Sequence, residues 1–466
     1  MTVSDCVVLT ISRRVARHPL TAMQTLQCGQ WGRPTAATRS QAVNEMELQS
    51  FGQSNFGGLV LGDARRTKRL AALANIMSRH PGGTLPDKFP NPADLRAFYL
   101  LMDCDSVTHA CVLGGHAAAT RQKMNAAFRE GNTLLILHDA TELDYTSLKS
   151  LEGKLGQIGQ GTNVGYICHN SLVVQAEPRL VLGLGSQILH HRANVPKGET
   201  DAQRRDRADR ESRLWVQGAR QCGVDPTGSL CVDISDSLSD TFEYLAFEIT
   251  EGRHFVLRSR EDRKLATSGE SPQYLYPVVR QQPSVMTRMV DVRGTTKHAA
   301  RVANCCVSFT PVCIAPPRVR QGDYQNESLF LWTVRVWEPN PPADSEALEW
   351  ILLTNVPVLV AEDAIQRVTW YEARWVIEDL HKGMKTGCGI ETLQFTEISR
   401  LEPAIAVLSA LATTLLQMRD AARQPFADVR PATDVVSPEY VTVLADYYGT
   451  RLGKVPTILK CSPRRP

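Results

Sequence analysis

The sequence predicts an α/β fold, and three observations predict it. Thr133-Leu-Leu-Ile-Leu-His138-Asp139 and Ser229-Leu-Cys-Val-Asp233 are apolar runs of strand length, each closing on a carboxylate. Leu70, Leu73 and Met77, and later Leu401 to Met418, repeat apolar residues at helical spacing. Between these regions Val302 to Thr310 and Leu329 to Val336 alternate and are separated by Pro, Gly and Asn, a pattern for antiparallel strands.

Composition sets the outer limits. The 466 residues suffice for two or three domains, and 43% hydrophobic with 22% charged residues is ordinary for a soluble globular chain. A net charge of +3 leaves any nucleic-acid surface to local clusters of Lys and Arg. The twelve cysteines include no Cys-x-x-Cys pair, which argues against a zinc site or a disulfide framework and for a reducing cytosol. No run of 18 or more residues is wholly apolar, so no membrane-spanning helix is expected.

Residues 1–45 carry Arg13, Arg14, Arg17, Arg33 and Arg39 without sustained periodicity, and are expected to be a disordered or extraneous extension, with Met46 a candidate first residue. Leu61-Gly-Asp-Ala-Arg-Arg-Thr-Lys-Arg-Leu70 opens a helix that Asp63 can cap. Arg65, Arg66, Lys68 and Arg69 crowd its first turns against the macrodipole, where a phosphate backbone would compensate them. A solvated basic turn fits the same letters. After the Pro- and Gly-rich loop from His80 to Pro92, a second helix begins near Asp94.

The strand ending at Asp139 is followed by another at Gly165 to Val174, in which His169 reads as structural. Residues 198–213 mix both charges densely and read as a solvent-facing loop. Asp233, Asp236 and Asp240 then fall across a strand, a turn and a capped helix. Residues 253–345 read as an antiparallel β insertion. Trp350, in the strand after it, reads as a core residue on its own letters.

The densest chemistry lies between Trp370 and Gly387. On an ideal helix Tyr371, Arg374, Glu378, Lys382 and Lys385 share an arc of roughly 80°, with Ala373, Val376, Ile377, Leu380 and Met384 opposite. One carboxylate among Arg and Lys suits a site holding a divalent metal and a polyanion together. From spacing alone, an exposed face with a Glu378–Lys382 pair four residues apart is the favoured reading.

The order Tyr371, Arg374, Glu378, Lys385, set in Arg-Trp-x-Ile-Glu-x-x-His-Lys-x-x-Lys-Thr-Gly, resembles the Tyr-Arg-Glu-Lys signature of a group of bacterial insertion-sequence transposases of the Asp-Asp-Glu (DDE) type. The resemblance spans about residues 47–420. It implies an RNase H-like catalytic core, a mixed sheet with flanking helices interrupted by the β insertion, preceded by a small helical domain and followed by a helical C-terminal region. The implied layout is an extension at 1–45, a helical domain binding transposon ends at 46–112, a catalytic domain at 113–420 with the insertion at about 253–345, and a shortened C-terminal region at 421–466.

The resemblance also implies roles. Asp139, Asp236 and Glu378 become the catalytic, metal-binding triad for two Mg²⁺ ions, with Mn²⁺ able to substitute. Asp240 takes a structural place, and Ser237 stands where the family has Arg. Arg65, Arg66 and Arg69 become contacts to the transposon end; Tyr371, Arg374, Lys382 and Lys385 would grip the strand end, and Trp350 would hold a flipped base. The implied activity is cutting of transposon ends and joining to target DNA through a hairpin, by a homodimer assembled on double-stranded DNA in the bacterial cytoplasm, at the nucleoid. The alternative is a defective, DNA-binding or dimerising copy that inhibits transposition.

Overall fold

A computed structural model describes residues 50–193, 198–223, 230–267, 271–292, 300–317, 327–342, 345–424 and 427. The expectations for 1–45, and for 421–466 apart from the few residues just given, lie outside the described residues.

The described residues open with four α-helices: α1 (Phe51–Phe56), α2 (Ala64–Arg79), α3 (Pro92–Met102) and α4 (His109–Arg129). The last three start at side-chain caps. Asp63 accepts the Arg65 N–H, Asn91 the Ala93 N–H ahead of Pro92, and Thr108 the Cys111 N–H. The apolar stripe of α2 is buried as its spacing predicts, with Leu70, Leu73, Ala74 and Met77 in the core.

The central strand, β1 (Leu134–Asp144), pairs antiparallel with β3 (Val164–Gln175), beyond which lie the two-residue β2 (Gly156–Gln157) and β4 (Leu180–His190). The charged stretch expected to be a loop contains a short helix, α5 (Asp201–Asp206), closed by a Thr200–Gln203 capping box. After α6 (Leu214–Cys222), β5 (Cys231–Ser235) runs parallel to β1 on its other side. Following α7 (Phe242–Thr250), β6 (His254–Arg258) runs parallel to β5. The order β4-β3-β1-β5-β6, three antiparallel strands followed by two parallel additions, is compatible with an RNase H-like core.

The strand β6 lies inside the span expected to be an insertion, yet it pairs in the core. The antiparallel strands proper come after α8 (Leu275–Arg280): β7 (Met286–Val292), β8 (Arg301–Ile314) and β9 (Leu329–Trp337). The return strand β10 (Glu349–Thr354) then inserts between β6 and β9, so all these strands extend the same sheet.

The signature stretch is not one continuous helix. It comprises α9 (Ala361–Glu372), a break at Ala373 and Arg374, α10 (Trp375–Lys382) and a π turn at Gly383–Gly387. Across the break, Arg374 N–H reaches back to the Tyr371 carbonyl and Ile377 N–H to that of Arg374, the tighter three-residue spacing. The final helix, α11 (Ile398–Ala421), is long and apolar enough to cross a membrane by length and composition, but 72% of its most apolar window is buried within the fold. It is a core helix, packed on α4 and β4.

Candidate functional site

The parallel strands deliver two carboxylates side by side. In the β1–β5 register His138 lies opposite Ser235, the last pair, so Asp139 and Asp236 follow at adjacent positions about 4.8 Å apart by strand spacing. Asp139 is not at the end of β1, which runs on against β3 to Asp144. It sits where the parallel neighbour stops and the strand loses cover on one side.

Of Asp233, Asp236 and Asp240, only Asp236 makes no hydrogen-bonded ion pair among the described residues. Asp233 is buried and holds His138 Nε2 at 2.7 Å and the Arg253 guanidinium at 2.7 and 2.9 Å. Asp240 is buried beneath the backbone N–H groups of Arg260 and Glu261, at 2.7 and 3.0 Å, and Arg263 Nη2 at 2.8 Å. Asp236 caps a 3-10 turn, accepting the Leu238 N–H at 3.1 Å. Burial, and then the neighbouring charge of Asp139, push its pKa up to about 6, against the pull of Arg374.

Glu378 completes the group through Arg374. The guanidinium donates through Nη1 to Asp139 Oδ2 and through Nη2 to Glu378 Oε1, both at 2.9 Å, and lies 4.6 Å from the centroid of the Trp375 ring. The charge of Asp236 acts on it as well, so all three carboxylates face one cation. Burial raises the pKa values of Asp139 and Glu378, and Arg374 holds them down. The break between α9 and α10 makes this possible: it turns Arg374 inward to 7% exposure, where a continuous helix would aim it along the polar arc.

Three carboxylates are a hard-oxygen donor set suited to Mg²⁺ or Mn²⁺. Among the described residues no three His, Cys, Asp or Glu side chains already close around a metal position. Arg374 stands between Asp139 and Glu378, so metal ligation by this set requires the guanidinium to swing aside. The surplus negative charge at Asp236 is what a divalent ion would relieve, and in that respect the donor set fits.

The other signature residues divide by burial. Tyr371 is buried, with its ring 6.2 Å from that of Trp350. Trp350 is 8% exposed in the core, as its own letters suggest, and in this conformation presents no face for a base. Lys382 is exposed. Lys385, on the π turn, lies 3.5 Å from Glu391, whose carboxylate also accepts the Asp144 N–H at the end of β1.

In the first helical unit, Arg65 and Arg69 are exposed, and Arg65 folds back onto Asp63 at 2.9 Å. Arg66 is occupied instead: its Nη1 donates to Ser106 Oγ at 2.9 Å and to the Leu61 carbonyl at 3.2 Å, tying α2 to the turn after α3. Asp63 thus supplies part of the anion that this basic turn requires.

A family model for transposase DNA-binding matches residues 48–107. The first helical unit is thus similar to a transposase DNA-binding domain. The match supports a DNA transposase with DNA as its partner. The matched residues cover α1 to α3 and include Arg65, Arg66 and Arg69.

Sequence reasoning missed three contributors. Arg258 ends β6, one position past the Ser235–Leu257 pair and therefore beside Asp236; it is exposed and donates to the Glu349 carbonyl at 3.3 Å. The strand-end signal that picked out Asp139 applies to it equally. Glu391 and the buried His138–Asp233–Arg253 chain carry no local signal, because their partners lie up to 247 residues away.

Proposed function

We propose that this protein is a DDE-type DNA transposase of the Tyr-Arg-Glu-Lys group, similar to that of the composite kanamycin-resistance transposon, which cuts transposon ends and joins them to target DNA through a hairpin intermediate. The observation that carries the reading is the joining of Asp139 and Glu378 by Arg374, with Asp236 beside Asp139, in a chain whose first unit matches a transposase DNA-binding model. Asp139, Asp236 and Glu378 would hold two Mg²⁺ ions, or Mn²⁺; when bound, the metal would activate a water or a 3′-hydroxyl and stabilise the leaving oxygen.

The residues of the chain do the rest. Arg374, released from Asp139 and Glu378, would turn to the scissile phosphate, keeping its cation in the site while carboxylate oxygens become available. Lys382 is already exposed for the strand end, and Lys385 needs only to leave Glu391. Trp350 and Tyr371, buried together, would meet a flipped base only after β10 and α9 part at that point. A homodimer on DNA would bring two ends together, in the cytoplasm at the nucleoid.

The test is incubation of 5′-labelled duplexes bearing the terminal inverted repeats that flank the gene with Mg²⁺. Nicks followed by hairpins, absent with Glu378→Gln despite unchanged end affinity, are expected. Cutting without hairpins would reduce the activity to that of a nuclease. Binding without cutting would support the inhibitory copy, a reading that no observation here favours.

A further inference from the structure

The DNA-binding domain touches the segment that follows the catalytic helix at three places. The Gly83 carbonyl packs on Gly389, where φ is +62° and an added Cβ would stand 2.5 Å from that oxygen. The Tyr99 ring lies 5.3 Å from that of Phe395, and Arg400 forms an ion pair with Asp103. The contacted residues, 389–400, begin two positions after the π turn that carries Lys385.

The loop that makes the first contact is closed from inside by Lys88. This lysine is fully buried, and among the described residues it makes no salt bridge. Its Nζ donates to the carbonyls of Pro81, Gly82 and Gly83, at 3.0 and 3.1 Å for the latter two. An ammonium carries three N–H donors, and here each has one carbonyl. Asp87 fixes the other side by accepting the Thr84 N–H and hydroxyl at 2.8 and 2.6 Å. The loop follows directly from α2, the basic helix, so a rigid link runs from that helix through the Lys88 turn to Gly389.

On the far side the link meets Lys385. Gly389 N–H bonds to the Lys385 carbonyl at 3.0 Å and Cys388 N–H to that of Gly383 at 2.7 Å, closing the π turn. The Ile390 carbonyl is held by Tyr145, and Glu391 by the Asp144 N–H, both at 3.0 Å. The Lys88 loop therefore bears on Gly389, whose N–H closes the turn that carries Lys385 and its contact with Glu391. π turns within helices are recurrent at functional sites because one extra residue re-aims a side chain.

We propose that Lys88 is a positioning residue: it holds the 81–89 loop of the DNA-binding domain against Gly389 and so couples occupation of α2 by a DNA end to the setting of Lys385. Its catalytic consequence and its DNA ligand rest on the transposase reading, and the mechanical link rests on the contacts of Gly83, Lys88 and Gly389.

The test has one arm that needs no catalysis. Amide hydrogen exchange of peptides spanning 383–391 is followed with and without the inverted-repeat duplex. Wild-type protein is expected to change exchange there on binding, and Lys88→Met to lose that change while retaining end affinity. An Asp103→Asn/Arg400→Met double variant, which breaks only a half-exposed pair, should keep the fold and weaken the response. No DNA-dependent change in wild type, or an unchanged response in Lys88→Met, overturns the coupling.

The second arm measures cleavage. Lys88→Met and Lys385→Ala should slow it by similar factors, and the double variant no further; multiplicative loss overturns the positioning role. Wild-type protein that shows the exchange response but does not cut would sink the transposase reading and leave the coupling standing.

Discussion

At the residue scale the site is governed by a shortage of positive charge. Three carboxylates share one guanidinium, and Asp236, held by backbone groups alone, bears the cost: its pKa is pushed up to about 6. The folded chain holds that proton more tightly than the unfolded chain, whose aspartate titrates near its ordinary 3.8. Between those values the folded state binds extra protons, so this contribution to stability is present at low pH and lost as pH rises through about 6. Asp236→Asn is therefore expected to raise stability at pH 7.5 by about 1–3 kcal/mol, a gain that shrinks as pH falls below about 6 and is gone below the ordinary 3.8. Thermal melts across that range check it, and a destabilised variant at pH 7.5 would mean that the carboxylate is compensated.

At the element scale, the basic helix and the π turn give separate expectations. Arg65 and Arg69 project from α2, whereas Arg66 is bound internally. Replacing Arg65 and Arg69 by Ala should weaken end binding and lower the slope of log affinity against log salt by up to about 2. Arg66→Ala should act chiefly on stability, by about 1 kcal/mol. Fluorescence anisotropy at several salt concentrations and denaturant melts separate these outcomes. Gly389→Ala places a Cβ against the Gly83 carbonyl in a left-handed conformation. A loss of about 1–3 kcal/mol in melts is expected.

At the scale of the whole molecule, the charge shortage becomes a binding property. Millimolar Mg²⁺ should raise the melting temperature of wild-type protein at pH 7.5, and Asp139→Asn or Asp236→Asn should lose most of that rise. An equal rise in both variants would place the ion elsewhere. Sedimentation with and without inverted-repeat duplexes tests assembly, with two protein copies per complex expected only on DNA. A monomer on every duplex would remove the proposed dimer.

Local letters were sufficient for the Asp63 cap, the buried stripe of α2, the strands that become β1 and β5, and the basic turn of α2, because each depends on neighbours within a few residues; the helix expected to be capped near Asp240 is capped by Thr241 instead. The strand Phe255-Val-Leu-Arg258 was readable as a strand, but its place beside β5 was not, since a strand does not encode its partner. The helical wheel drawn through Tyr371 to Lys385 assumed one axis; packing of Tyr371 on Trp350 and the ion pair of Arg374 with Asp139, 235 residues away, accompany a break that no periodicity reveals. Which of Asp233, Asp236 and Asp240 stays uncompensated was likewise settled by Arg253, His138 and Arg263 arriving from other elements. The sequence by itself determined which groups are present and which short segments carry them; the tertiary structure decided which of those charges are neutralised, because electrostatic compensation depends on distance through space and not along the chain.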